Sequence, residues 1–144
     1  MSRDGERTSG EWNEMRFLQP PDWPRPKGYA NGVAARGSLV FVSGIVGWNA
    51  QEKFTSSDFV AQVRQALLNI VAILYQGKAK PEHIARMTWY VLDKNEYLAA
   101  AKEMGEVYRA IIGPHYPAMT VVEVSGLVEA DARVEIEVTA VVPD

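Results

Sequence analysis

The stretch ARVEIEVTAVV (Ala132–Val142) alternates apolar and polar residues, and its two parities are unlike. Val134, Ile136, Val138 and Ala140 share one side, while Arg133, Glu135, Glu137 and Thr139 share the other. A period of two is the mark of a strand covered on one face. This strand therefore belongs to a sheet with helices on its apolar side and something less apolar opposite.

Working back along the chain, TVVEV (Thr120–Val124) is a second short β-branched run, and Met119, Val121, Glu123 and Ser125 share one of its parities. We assign that parity to the second face beside Glu135 and Glu137, which makes the face half apolar and half acidic. Subunit packing accounts for such a face better than bare exposure, so an oligomer is expected. SLVFVSGIVG (Ser38–Gly47) is apolar on both parities, as in a central strand, with Gly37 at its start and Gly44 and Gly47 bending or ending it. Between these strands Phe59, Val63, Ala66, Leu67, Ile70 and Leu74 recur at spacings of three and four. That is an amphipathic helix, with Ser57 or Asp58 as its cap. After Pro81, ARMTWYVLD reads as a strand, and Tyr97, Ala101, Met104, Tyr108 and Ile111 repeat the helical spacing up to Gly113. The order is β-β-α-β-α-β-β. It predicts an α+β fold with one mixed sheet and two helices on one face.

Domain organisation follows from punctuation. Residues 1–12 are polar, and Pro20, Pro21, Pro24 and Pro26 exclude regular helix ahead of Gly28. Residues 1–27 are accordingly read as a polar, proline-rich tail, and 28–142 as a single domain. The 144 residues, 47% of them hydrophobic, suffice for one core. The net charge is −3 with Lys and Arg scattered, so no basic stripe suited to nucleic acid is present. Absence of cysteine excludes disulfides and thiolate nucleophiles, and fits a reducing compartment. No signal-like apolar segment opens the chain, and none approaches the roughly 18 apolar residues of a membrane span. A cytoplasmic protein without membrane or nucleic-acid partners is expected. His83 and His115 stand far apart with no spaced carboxylates, which makes no metal site.

Tyr29, the strand LVFVSG ending in Ser43-Gly44, the helix QVRQALLNIVAIL, the strand TWYVLD, and PAMTVVEV followed by VEIEVTAVV occur in an order that resembles the Rid (YjgF-type) family of enamine/imine deaminases. The resemblance covers about Gly28 to Val142. It implies a chorismate-mutase-like (bacillus-type) fold and a homotrimer whose sheets line a central barrel. It also implies a small-molecule ligand in each inter-subunit cleft, and no cofactor or metal. Carried onto this chain, it places Tyr29 near the cleft, the Ser43 hydroxyl and Gly44 amide at its wall, and Glu135 as the catalytic carboxylate that holds the attacking water. The carboxylate-anchoring arginine of the motif Pro-Ala-Arg-Ser/Thr falls on Met119, in Pro117-Ala118-Met119-Thr120. A thioether cannot replace it, because a hydrogen bond to a charged group is worth about 1.5–3 kcal/mol and methionine is an apolar filler. A second departure is Gly105, where the family often carries Asn three residues before the tyrosine that is here Tyr108.

These departures imply a hydrolase or deaminase of altered specificity, acting for example on a 2-aminomuconate-like enamine. The alternative is a non-catalytic trimer that binds a metabolite or a partner. The endoribonuclease activity sometimes attached to the family ranks third, given the acidic charge and the lack of a general-base histidine pair. With Met119 uncharged and Gly105 small, a wide, apolar cleft is expected, with Tyr29, Trp48 and Tyr116 at its rim and His115 at the surface.

Overall fold

The computed structural model describes residues 15–144. Its elements in chain order are β1 (Arg16–Leu18), β2 (Gly32–Ala34), β3 (Ser38–Val46), α1 (Phe59–Gln76), a 3-10 turn (Pro81–His83), β4 (Ile84–Val91), α2 (Lys94–Ala99), α3 (Ala101–Ile111), β5 (Ala118–Glu123) and β6 (Val134–Val142). The main sheet runs β3-β6-β4-β5, with β4 and β5 parallel and the other neighbours antiparallel. This is the mixed sheet of an α+β fold, with the long strand β6 inside it.

Helix α1 starts where Asp58 accepts a hydrogen bond from the Ala61 amide at 2.9 Å, which satisfies one of the donors left open at a helix start. Its residues Val63, Ala66, Leu67, Ile70 and Leu74 are fully buried, together with Val134, Ile136, Val138 and Ala140 of β6. The apolar parity of β6 thus meets the apolar stripe of α1, and the core is the layer between them. Gln62 lies in that layer without being an orphan. Its amide nitrogen donates to the carbonyls of Ser56 and Asp131, and its oxygen accepts from the Arg133 amide at 2.8 Å. One side chain thereby ties the helix start to the loop ahead of it and to the approach to β6.

Four readings of the sequence differ from the structure. The segment 1–27 expected to be tail holds β1, just ahead of its prolines, and β1 pairs with β2 in an antiparallel ribbon, Phe17 opposite Val33. Three residues are too few to show a period. Residues 1–14 of that tail lie outside the described residues. The single helix expected from Tyr97 to Ile111 is two, broken at Ala100, a break that the spacing of Tyr97, Ala101 and Met104 does not register because they keep phase across it. Arg133 does not join the acidic face; it pairs with Glu96 of α2, its Nε 2.9 Å from one carboxylate oxygen and 3.0 Å from the other.

The fourth difference matters most. Met119, Val121 and Glu123 were assigned to the second face, but they face the helices. In the parallel pair they stand beside Met87, Trp89 and Val91, all buried in the core. Glu123 accordingly reaches the start of α2, where it accepts from the Lys94 amide at 2.8 Å. Period two shows which residues share a side; only the pairing partner shows which side that is.

Candidate functional site

The residues singled out in the sequence fall into two groups on opposite faces of the sheet. The first surrounds Met119. Gly28, at φ 78°, turns the chain through a conformation that suits glycine, and the loop behind it is tied to the entry of β5. The Ala30 amide donates to the Pro117 carbonyl at 2.9 Å, and Ala30 bridges Ala118 as a parallel partner. This attachment brings Tyr29 and Met119 into the lining of one cleft. Across from them runs α3, where Gly105 faces open space: a Cβ built there meets no atom within 4 Å. Together these walls enclose a cleft of about 880 Å³, within the usual size of small-molecule sites.

Tyr108 and Tyr116 form one end of the cleft, their rings stacked at 5.5 Å and 17°. The Tyr108 hydroxyl donates to the His115 carbonyl at 2.6 Å, and burial pushes its pKa well above the ordinary tyrosine value, with Tyr116 adding to the shift. It stays protonated and structural. The Tyr116 oxygen accepts from Arg109 Nη2 at 3.2 Å. His115 is half buried, its Nε2 2.7 Å from the Ile84 carbonyl, so it braces the loop into β5 instead of lying on the surface as expected.

The second group lies on the other face. Ser43 and Gly44 sit in a bulge of β3, between Val42, opposite Val138, and Ile45, opposite Ile136. A Cβ at Gly44 would collide with the Glu135 carboxylate, so the glycine makes room for the glutamate against the strand. Tyr90 stands beside Glu135 in the pairing of β4 with β6, and its hydroxyl donates to Glu137 at 2.7 Å. That bond, with burial and the two carboxylates, raises the Tyr90 pKa. Thr120 is exposed on this face as well, since it pairs with Thr88.

The structure therefore brings Tyr29, Met119 and Gly105 together, and separately Gly44 with Glu135. It does not join the two groups within one chain. Trp48, expected at the cleft rim, instead packs against Phe54 at 5.7 Å and is absent from the cleft. Three lining cations, Lys27, Lys102 and Arg109, escaped the sequence reading, as did Trp89 on the wall. The signal for two of them was present: Lys102, Gly105 and Arg109 follow one another at helical spacing. Among the described residues no group of three or more histidines or carboxylates could hold a metal ion. No helix of the described residues is long and apolar enough to cross a membrane.

Comparison with known proteins gives a consistent result. Residues 24–142 match the model of the family described as Endoribonuclease L-PSP. The chain is 35% identical over 130 residues to a RutC family protein of Aquifex aeolicus, covering 88% of this chain and 99% of that one. It is 32% identical over 116 residues to the 2-iminobutanoate/2-iminopropanoate deaminase of Escherichia coli K12, covering 78% and 86%. Among solved structures, a Rid-family protein of unknown function from Yersinia pestis superposes with a TM-score of 0.76 at 25% identity, over 89% of this chain and 98% of the other. The YjgF gene product of Escherichia coli superposes at 0.65 with 31% identity, over 78% and 87%.

Proposed function

The chain belongs to the Rid (YjgF-type) family, and on that footing we propose that it hydrolyses an enamine or imine metabolite with a specificity different from that of its relatives named for 2-iminobutanoate and 2-iminopropanoate. The observation that carries this reading is Met119, a thioether that lines the cleft together with Tyr29, at the position onto which the resemblance carries the anchoring arginine. A short imino acid is then left without its carboxylate anchor at that position, whereas a longer, more apolar ligand gains wall.

In the proposed reaction water adds to the C=N carbon, the nitrogen takes up a proton, and ammonia leaves as the carbonyl forms. Glu135 is the group suited to hold and deprotonate that water, and the Ser43 hydroxyl and Gly44 amide are suited to polarise the adduct. These groups lie across the sheet from Met119, so one ligand can meet both sets only if a neighbouring copy supplies one of them. We therefore place the ligand in a cleft shared between subunits of a homotrimer with the chorismate-mutase-like barrel arrangement. The exposure of Leu39 (58%) and Phe41 (72%) on the face that carries Glu135 supports burial of that face by another copy.

Ammonia release from 2-aminoacrylate, from 2-iminobutanoate and from 2-aminomuconate tests the reading. Turnover is expected only on the larger substrate, and Met119→Arg should raise turnover of the short imino acids by at least about tenfold, the worth of one charge-assisted contact. High activity of the unmodified protein on 2-aminoacrylate would sink the altered specificity. The second reading, a non-catalytic metabolite-binding or partner-binding trimer, is favoured by the joint change at Met119 and Gly105; silence on every substrate, before and after Met119→Arg, would select it.

A further inference from the structure

The charge lining the cleft has the opposite sign to that of the molecule. The chain carries −3 overall, yet Lys27, Lys102 and Arg109 line the cleft against the single carboxylate Glu106. Lys27 stands on the loop ahead of Gly28 and the other two on α3, so the cations come from two different walls of the cleft. A cleft of one sign between low-dielectric walls concentrates ions of the other. The rest of the lining is largely apolar and aromatic, with Met104, Met119 and Val121 among tyrosine rings and Trp89.

Arg109 is held in place by its surroundings. Its guanidinium donates to the Tyr116 hydroxyl, Tyr116 stacks on Tyr108, and Tyr108 is fixed to the His115 carbonyl. The planar fork keeps further N–H groups for a carboxylate, which it can grip through two parallel bonds.

We propose that this cleft binds a carboxylate with a flat conjugated or aromatic body, its carboxylate held by Arg109 and Lys27 and its body laid over Met119. The cation absent from position 119 is thereby supplied by other lining residues, and the apolar lining selects acids longer than a three-carbon imino acid. The assignment rests on the reading of this cleft as the ligand site, and it narrows the substrate class to conjugated or aromatic-bodied carboxylates.

Isothermal titration of the full chain with trans-cinnamate, trans-cinnamamide and pyruvate tests it without any turnover. Cinnamate is expected to bind at least about tenfold more tightly than its amide, which has the same body without the charge. Pyruvate should bind more weakly than cinnamate, and added salt should weaken cinnamate alone. Arg109→Gln and Lys27→Gln should each lower cinnamate affinity, and Arg109→Lys should restore part of it. Both residues are exposed, so both variants should fold, and the amide comparison needs no variant. Equal affinity for cinnamate and its amide, tighter binding of pyruvate, or unchanged affinity in both Gln variants would overturn the proposal. So would absence of cinnamate binding at millimolar concentration. A chain that binds cinnamate in this way but releases no ammonia from any imine loses the deaminase reading and keeps the site; the reverse result removes only the site.

Discussion

A methyl group at position 44 would occupy space that the Glu135 carboxylate fills, so the smallest substitution there bears directly on the proposed base. Gly44→Ala is expected to push Glu135 aside and to lower ammonia release by more than about tenfold, equivalent to about 1.4 kcal/mol of barrier. Circular dichroism should still report the fold, because Gly44 is exposed in a bulge and outside the core. A variant with full activity would show that Glu135 is not the water-holding group. The tyrosines set a separate expectation. Burial raises the pKa of Tyr108, with Tyr116 adding to it, and burial alone raises that of Tyr97, both from an ordinary 10.0. The folded state therefore keeps protons that the unfolded chain gives up at lower pH. Their contribution to stability is whole below 10.0 and is lost as pH climbs from 10.0 through the raised folded values. Phenolate absorbance from Tyr108 should accordingly develop only as the near-ultraviolet dichroism of the fold disappears.

Helix α3 carries a conflict between its own stability and the cleft it borders. Gly105 lies in its interior, where glycine costs about 1 kcal/mol relative to alanine, and nothing within 4 Å obstructs a Cβ. Gly105→Ala should stabilise the protein by about 0.5–1 kcal/mol in urea unfolding and weaken binding of a bulky carboxylate by narrowing the cleft. If the substitution stabilises the fold with no change in affinity, the ligand does not reach this wall. The same helix shows the limit of reading elements from period. Tyr97, Ala101, Met104 and Tyr108 hold one phase, yet the backbone breaks at Ala100, with Asp93 capping α2 through the amides of Asn95 and Glu96. Helix α1 was legible throughout because its stripe runs unbroken from Phe59 to Leu74 with a capping aspartate ahead of it. The strand Arg16–Leu18 was not, since its pairing with Gly32–Ala34 is a tertiary event that leaves no local pattern.

At the scale of the molecule, the separation of Glu135 from Met119 by the sheet makes assembly part of the proposed chemistry. Light scattering at micromolar concentration is expected to give three times the 16.0 kDa chain mass. Phe41→Glu, which puts a charge on an exposed apolar position of the Glu135 face, should shift the mass toward that of one chain and abolish turnover together. A monomer that still releases ammonia would mean that Glu135 and the Met119 cleft do not serve one ligand.

The sequence by itself determined the fold class, the apolar parity of β6, the stripe and cap of α1, and the absence of arginine at position 119, because period, capping and residue identity are local properties. The resemblance led to the expectation of Tyr29, Met119 and Gly105 at one cleft, and the structure lines one cleft with all three. The tertiary structure alone decided which way Met119 points. Alternation along β5 is the same whichever face is buried, and only its parallel register with Met87 and Trp89 turns Met119 toward α3. It alone also gathered Lys27 and Arg109, distant in the chain, around one cleft, because that juxtaposition depends on the Ala30–Pro117 tie between a loop and a strand edge.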